Sequence, residues 1–134
     1  MATPGPLLLE GLARLGKAGI RTSLFIDPDL DAVRRSRELG AAAIELHTGS
    51  YARSPSSLTA NQLRSAATEG SRLGLAVHAG HGLTTANVGA VASIPEIEEL
   101  NIGHHIISRS IMVGIEAAVR EMATAIRNAR SAGR

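Results

Sequence analysis

Four short runs, at 22–26, 41–47, 75–79 and 97–102, are rich in small, apolar and β-branched residues and alternate with stretches whose apolar positions recur at helical spacing. Short apolar runs bounded by turn residues read as strands, and the longer 3.6-period stretches read as helices. Strict alternation of the two leaves few folds open. Successive strands must lie parallel and be joined by right-handed helical crossovers. The expected architecture is therefore α/β, in the order α(βα)4, opened by a helix over 6–18 on which Leu7, Leu8, Leu12 and Leu15 recur at helical spacing.

Local punctuation supports these boundaries. Gly19 ends the first helix, and Asp27-Pro28 supplies an N-cap and a first helical residue for the next. That helix directs Leu30, Val33 and Leu39 to the core and stops at Gly40. The Gly, Ser and Pro of 48–56 read as a loop, and a long helix over 59–72 ends near Gly74. Thr84 and Thr85 open a helix through Ala92, Pro95 breaks the chain, and a short helical turn follows His104. A final helix over 113–129 carries Ile115, Val119, Met122 and Ile126 as its buried stripe. No motif repeats, which excludes a solenoid.

Composition narrows the class further. A chain of 134 residues, 44% hydrophobic, suffices for one domain with a packed core. Phe25 and Tyr51 are its only Phe, Tyr or Trp residues, so the core must be aliphatic and no platform exists for stacking bases. Nucleic acid is thus not an expected partner. Arg120, Arg127, Arg130 and Arg134 read as a solvated helix face in a chain of net charge +2. Without cysteine there is neither a disulfide nor a thiolate metal site. Leu7-Leu8-Leu9 is too short to span a membrane and follows no basic run, so a cytoplasmic protein is expected.

Candidate chemistry gathers at the strand tips. Within Leu75–Leu83, His81 stands between Gly80 and Gly82 just past a strand. Gly-rich turns at strand ends let backbone N–H groups approach a ligand. An imidazole titrating near neutrality can donate or accept a proton there. Glu45 and His47 lie two apart and leave one strand face together. A carboxylate there either pairs with its neighbour at the sheet rim or is aimed into a site. His78 starts on a different strand face from His81 and fits a packing role equally well. Gly103-His104 follows the fourth strand and opens a helix, where N–H groups bind phosphate. If these are the last four strands of a (β/α)8 barrel, Gly82 and Gly103 fall in the loops that commonly hold phosphate. His105 receives no role. An alternative reading makes Glu45, His47, His78 and His81 ligands of Zn²⁺ or Mn²⁺, although no tight metal signature such as His-Glu-x-x-His is present.

Ser23-Leu24-Phe25-Ile26-Asp27, Ile44-Glu45-Leu46-His47-Thr48-Gly49, Ala79-Gly80-His81-Gly82-Leu83 and Glu99-Leu100-Asn101-Ile102-Gly103-His104 together resemble the blocks of the pyridoxine 5′-phosphate synthase family, in order and spacing. The resemblance extends through Gly114 to Val119-Arg120-Glu121-Met122. It implies a (β/α)8 TIM barrel with extra helices. It also implies a transferase of vitamin B6 biosynthesis that condenses 3-amino-2-oxopropyl phosphate with 1-deoxy-D-xylulose 5-phosphate, without cofactor or metal. By the same resemblance His81 is a proton donor and Glu45 a stabiliser of transition-state charge, while Gly82, Gly103 and His104 bind the aminoketone phosphate. His78 stands where many members carry Asn. The chain matches the second half of that barrel. The catalytic base histidine, a second glutamate, and an arginine and asparagine for the phosphates belong to the half it lacks. Residues 1–134 are accordingly expected to form a C-terminal half-barrel that needs its N-terminal half or assembles with itself as a homo-oligomer. A non-catalytic half-barrel is the alternative.

Overall fold

Parallel strands joined by helical crossovers account for the whole topology. The structure, a computed structural model, describes residues 5–132. Its elements run α1 (Pro6–Lys17), β1 (Ser23–Ile26), α2 (Leu30–Glu38), β2 (Ala43–His47), α3 (Gly49–Arg53), α4 (Ser57–Arg72), β3 (Ala76–Gly80), α5 (Val88–Ala92), β4 (Glu99–Asn101), α6 (His104–Val113) and α7 (Ile115–Ala132). The strands form one sheet in the order β1-β2-β3-β4, every neighbouring pair parallel. A half-barrel wall has this order, and β1 and β4 are its edges.

Helices cover one face only. Ile44, Leu46, Val77 and Ala79 point into the core beside Val33 of α2 and Leu63, Ala66 and Ala67 of α4. Close approach of α4 to the sheet depends on Gly70, where a Cβ would lie 2.9 Å from Ile44 Cδ1 and Val77 Cγ2. An ion-pair cluster ties α2 to α4 at their exposed rim: Glu69 accepts from Arg34 at 2.9 Å and from Arg72 at 2.8 Å. These hydrogen bonds, Arg72 first, lower the Glu69 carboxyl to about 2.

The other face is open and mainly polar. Phe25, Glu45, His78 and Glu99 form one row across the four strands, and His47, Gly80 and Asn101 form the next row towards the strand ends. The apolar sets Leu24/Ile26, Ile44/Leu46 and Val77/Ala79 are those the helices bury or partly cover.

Several local expectations are corrected. The N-cap of α2 is Asp29, whose Oδ1 accepts from Ala32 N at 2.9 Å, not Asp27, so Pro28 precedes the cap. Leu30 remains exposed there. The expected loop over 48–56 contains α3, anchored by buried Tyr51. Residues 85–87 form a turn, and α5 begins only at Val88. What reads as a short turn after His104 is the ten-residue α6. On α7 the buried side chains are Ala118 and Met122, with Ala125, Ile126 and Ala129 against the core, whereas Ile115 and Val119 are exposed. Small alanines let α7 lie close on α5, so the packed stripe is rotated away from the bulkier residues. The α1 leucines find no core, and no residue of that helix is buried.

Candidate active site

Because all four strands are parallel, their C-terminal tips lie at one end of the sheet, and three of them converge. Glu45 emerges from β2 on the open face and is clasped from β4: Asn101 Nδ2 donates to its Oε2 at 2.9 Å. Gly80, between them on β3, makes room. A Cβ there would stand 2.6 Å from Glu45 Oε1 and 2.7 Å from the Asn101 carbonyl oxygen. The carboxylate therefore crosses β3 over a residue that has no side chain.

His47 is enclosed by rings. Phe25 meets it edge-on at 5.1 Å between centroids, and the His81 ring lies at 4.7 Å. Its Nδ1 is 3.5 Å from Asp27 Oδ1. Gly49 closes this side, for a Cβ there would come within 2.7 Å of His47 Cε1 and 3.2 Å of His81 Cδ2. His81 departs from strand periodicity at φ +90°, the one described non-glycine residue with positive φ. That twist brings its ring beside His47, and His78 stands on the open face as well, so counting residues along a regular strand misplaces the pair.

The loop after β3 is held from several sides. Thr48, fully buried, places its hydroxyl 2.7 Å from the Gly80 carbonyl oxygen and 2.6 Å from that of His81. Asn87 Oδ1 accepts from Thr84 N at 2.7 Å, and Tyr51 donates its hydroxyl to the Asn87 carbonyl at 2.7 Å. Burial raises the Tyr51 phenol above its ordinary value, so it remains a donor. Gly82 has φ +76° and would bring a Cβ within 2.8 Å of Ala52 Cβ.

Of the residues singled out in the sequence, Glu45 reaches over Gly80 to Asn101, and His81, next in the chain after Gly80, lays its ring against His47, with Gly82 next in the turn. Gly103 and His104 are exposed at the start of α6. They join this group indirectly, through His105, whose Nε2 lies 3.4 Å from both the backbone N and the hydroxyl of Thr85. Among the described residues no three His, Asp or Glu side chains converge to hold a metal ion, so the metal alternative finds no ligand set. On α7, Arg120 pairs with Glu116, Arg127 donates to Thr124 and Arg130 to the Ile97 carbonyl, which suits a helix face; Arg134 lies outside the described residues. Sequence reasoning missed Asn101, Thr48, Gly49 and His105. An Asn inside a strand, against its weak β-propensity, was the one available signal.

Residues 6–128 match the family model described as pyridoxal phosphate biosynthesis protein PdxJ. The pyridoxine 5′-phosphate synthase of Magnetococcus marinus is 49% identical over 126 residues, covering 91% of this chain and 52% of the relative. That of Syntrophotalea carbinolica is 52% identical over 112 residues, covering 81% and 47% respectively. That of Coxiella burnetii is 48% identical over 122 residues, covering 88% and 51%. The chain spans about half the length of these relatives. In fold alone it is similar to a chain of the crystal structure of the Amycolatopsis orientalis BexX/CysO complex, with TM-score 0.68 and 18% identity over 98% of this chain and 52% of that one.

Proposed function

This chain belongs to the PdxJ family of pyridoxal phosphate biosynthesis proteins, and on that premise we propose that it is the C-terminal half of a pyridoxine 5′-phosphate synthase barrel. The reaction joins 3-amino-2-oxopropyl phosphate to 1-deoxy-D-xylulose 5-phosphate, with loss of inorganic phosphate and water. It proceeds through imine formation, dehydration and ring closure, each of which needs a proton delivered or removed at a fixed place.

His81 donates a proton in this scheme. The observation that carries the reading is its imidazole, turned by a positive φ to lie against His47 at the end of the sheet. Non-glycine residues hold such a conformation where their surroundings impose it, and functional sites are where this strain collects. Glu45 stabilises the cationic character that develops as the imine forms and water leaves, and its bond to Asn101 fixes the carboxylate without charging a neighbour. Gly82, Gly103 and His104 hold the aminoketone phosphate through backbone N–H groups and the imidazole. The remaining acid–base and phosphate-binding groups come from the half that closes the barrel. A cytoplasmic setting suits substrates whose phosphate charge keeps them from crossing membranes. Among the described residues no helix is long and apolar enough to cross one.

A second reading, a non-catalytic half-barrel that self-assembles, is favoured by the two sheet edges and by exposed Ile111 and Met112 on α6. One assay separates the two. The chain is mixed with a separately produced N-terminal half of a family member, both phosphate esters are supplied, and pyridoxine 5′-phosphate is quantified. Turnover by the mixture is expected. A stable complex of the two halves that makes no product would defeat the synthase reading.

A further inference from the structure

Thr48 is the first residue after β2, is fully buried, and has no part in the chemistry just proposed. Its hydroxyl lies within hydrogen-bond distance of two successive carbonyls, those of Gly80 and His81, and its backbone N–H donates to the first at 2.8 Å. Both peptide units of the turn after β3 are thereby aimed at one residue of the neighbouring strand. In a trans peptide the N–H points opposite its C=O, and no cis bond occurs among the described residues. The N–H groups of His81 and Gly82 are consequently turned away from Thr48. The Gly82 N–H has no backbone hydrogen-bond partner among the described residues. The two residues also share positive φ, at +90° and +76°. Successive N–H groups presented to one side form an anion-binding concavity.

We infer that Thr48 is a positioning residue: its hydroxyl holds the Gly80–His81 turn in its strained form, so that the N–H groups of His81 and Gly82 face a phosphate and the His81 ring stays beside His47. The identity of the anion rests on the function proposed above, whereas the holding of the turn does not. Valine at 48 would keep the shape and lose the hydroxyl, and serine would keep the hydroxyl. If strain at position 81 is what the hydroxyl opposes, glycine at 81, which adopts positive φ freely, removes the need for it.

The test is a titration of the ¹⁵N-labelled chain with inorganic phosphate, following the amides of His81 and Gly82. Wild type and Thr48→Ser are expected to respond alike, and Thr48→Val to need about tenfold more phosphate, the factor that one buried hydrogen bond implies. In urea unfolding, Thr48→Val is expected to destabilise His81→Gly less than it destabilises the wild type. Unchanged phosphate response in Thr48→Val overturns the inference, as does Thr48→Ser behaving like Thr48→Val. A wild type whose two amides ignore phosphate defeats the phosphate assignment instead, and the unfolding comparison still decides the role of Thr48. Should Thr48→Val not fold, the wild-type hydroxyl proton decides. Slow exchange with water is expected, and exchange as fast as that of a surface threonine would overturn the proposal.

Discussion

Replacing Gly80 with alanine should damage this protein more than its single added methyl suggests. The new Cβ would lie 2.6 Å from Glu45 Oε1 and 2.7 Å from the Asn101 carbonyl oxygen. The first contact can be relieved by swinging the Glu45 side chain, at the expense of its 2.9 Å hydrogen bond from Asn101. The second cannot, because that oxygen belongs to the β4 backbone and the strands must separate locally. Overpacking of this kind costs about 1–3 kcal/mol. The released hydrogen bond adds about 1 kcal/mol, kept at the low end because the open face is partly solvated. Thermal unfolding followed by circular dichroism should therefore show a loss of about 2–4 kcal/mol, a fall in Tm on the order of 10 °C for a domain of this size. Gly70→Ala is the control. Its Cβ would meet only the methyl ends of Ile44 and Val77 at 2.9 Å, and the gain in helix propensity, up to about 1 kcal/mol, offsets part of the strain. If Gly80→Ala unfolds within about 0.5 kcal/mol of wild type, a change ordinary for surface sites, or is less harmful than Gly70→Ala, the clasp over Gly80 does not exist as described.

Other outcomes follow from the same geometry. His81→Ala, assayed with the barrel completed by its other half, should lose about 10²–10⁴-fold in turnover with substrate binding largely kept; a variant retaining more than half the rate removes His81 from the chemistry. The depressed Glu69 carboxyl predicts a pH-dependent link between α2 and α4. Its contribution is full above the ordinary value of 4.5 and fades as pH falls towards about 2, so the stability gap between wild type and Glu69→Gln should close over that interval, and a gap independent of pH would contradict the assignment. Sedimentation of the chain alone should show self-association, reduced by Ile111→Ser with Met112→Ser; a strictly monomeric chain with synthase activity would refute the need for closure.

The alternation of apolar runs with helical stretches made the parallel sheet legible, because each strand is buried on its helix-facing side by residues of its own run. Ile44 and Leu46 or Val77 and Ala79 need no partner information to be placed. His81 stood out in the sequence through its flanking glycines. Its position was not legible, since a positive φ breaks the two-residue periodicity on which such counting rests. Thr48 and Asn101 escaped for another reason. Their significance lies in hydrogen bonds to residues 33 and 56 positions away in the chain, and local pattern carries no record of those. The stripe of α7 was misread because bulk was taken as the mark of burial, whereas close helix packing here selects alanine.

Two kinds of surface are left uncovered, and they differ in chemistry. The open sheet face presents Glu45, His47, His78, Glu99 and Asn101, groups that tolerate water and pair with one another. Apolar exposure concentrates instead at the flanks, with Leu7 84% exposed on α1 and Ile111 81% and Met112 78% on α6, which follows edge strand β4, while Phe25, at the β1 edge of the open face, packs edge-on against His47. Hydrophobic burial is the main driving force of association and is roughly proportional to the apolar area removed, and unpaired strand edges add directional hydrogen bonding to it. Both forces act chiefly at the flanks, and on the open face only at Phe25, on its β1 edge. Closure there would draw further strands against β1 and β4 and leave the polar face looking inward, enclosed but not filled. In a (β/α)8 barrel, side chains at the C-terminal ends of the strands meet substrate in that place. The division of the surface into apolar flanks and a polar face would therefore let the same sheet assemble and still leave uncovered Glu45 and His81, the groups proposed to act on substrate.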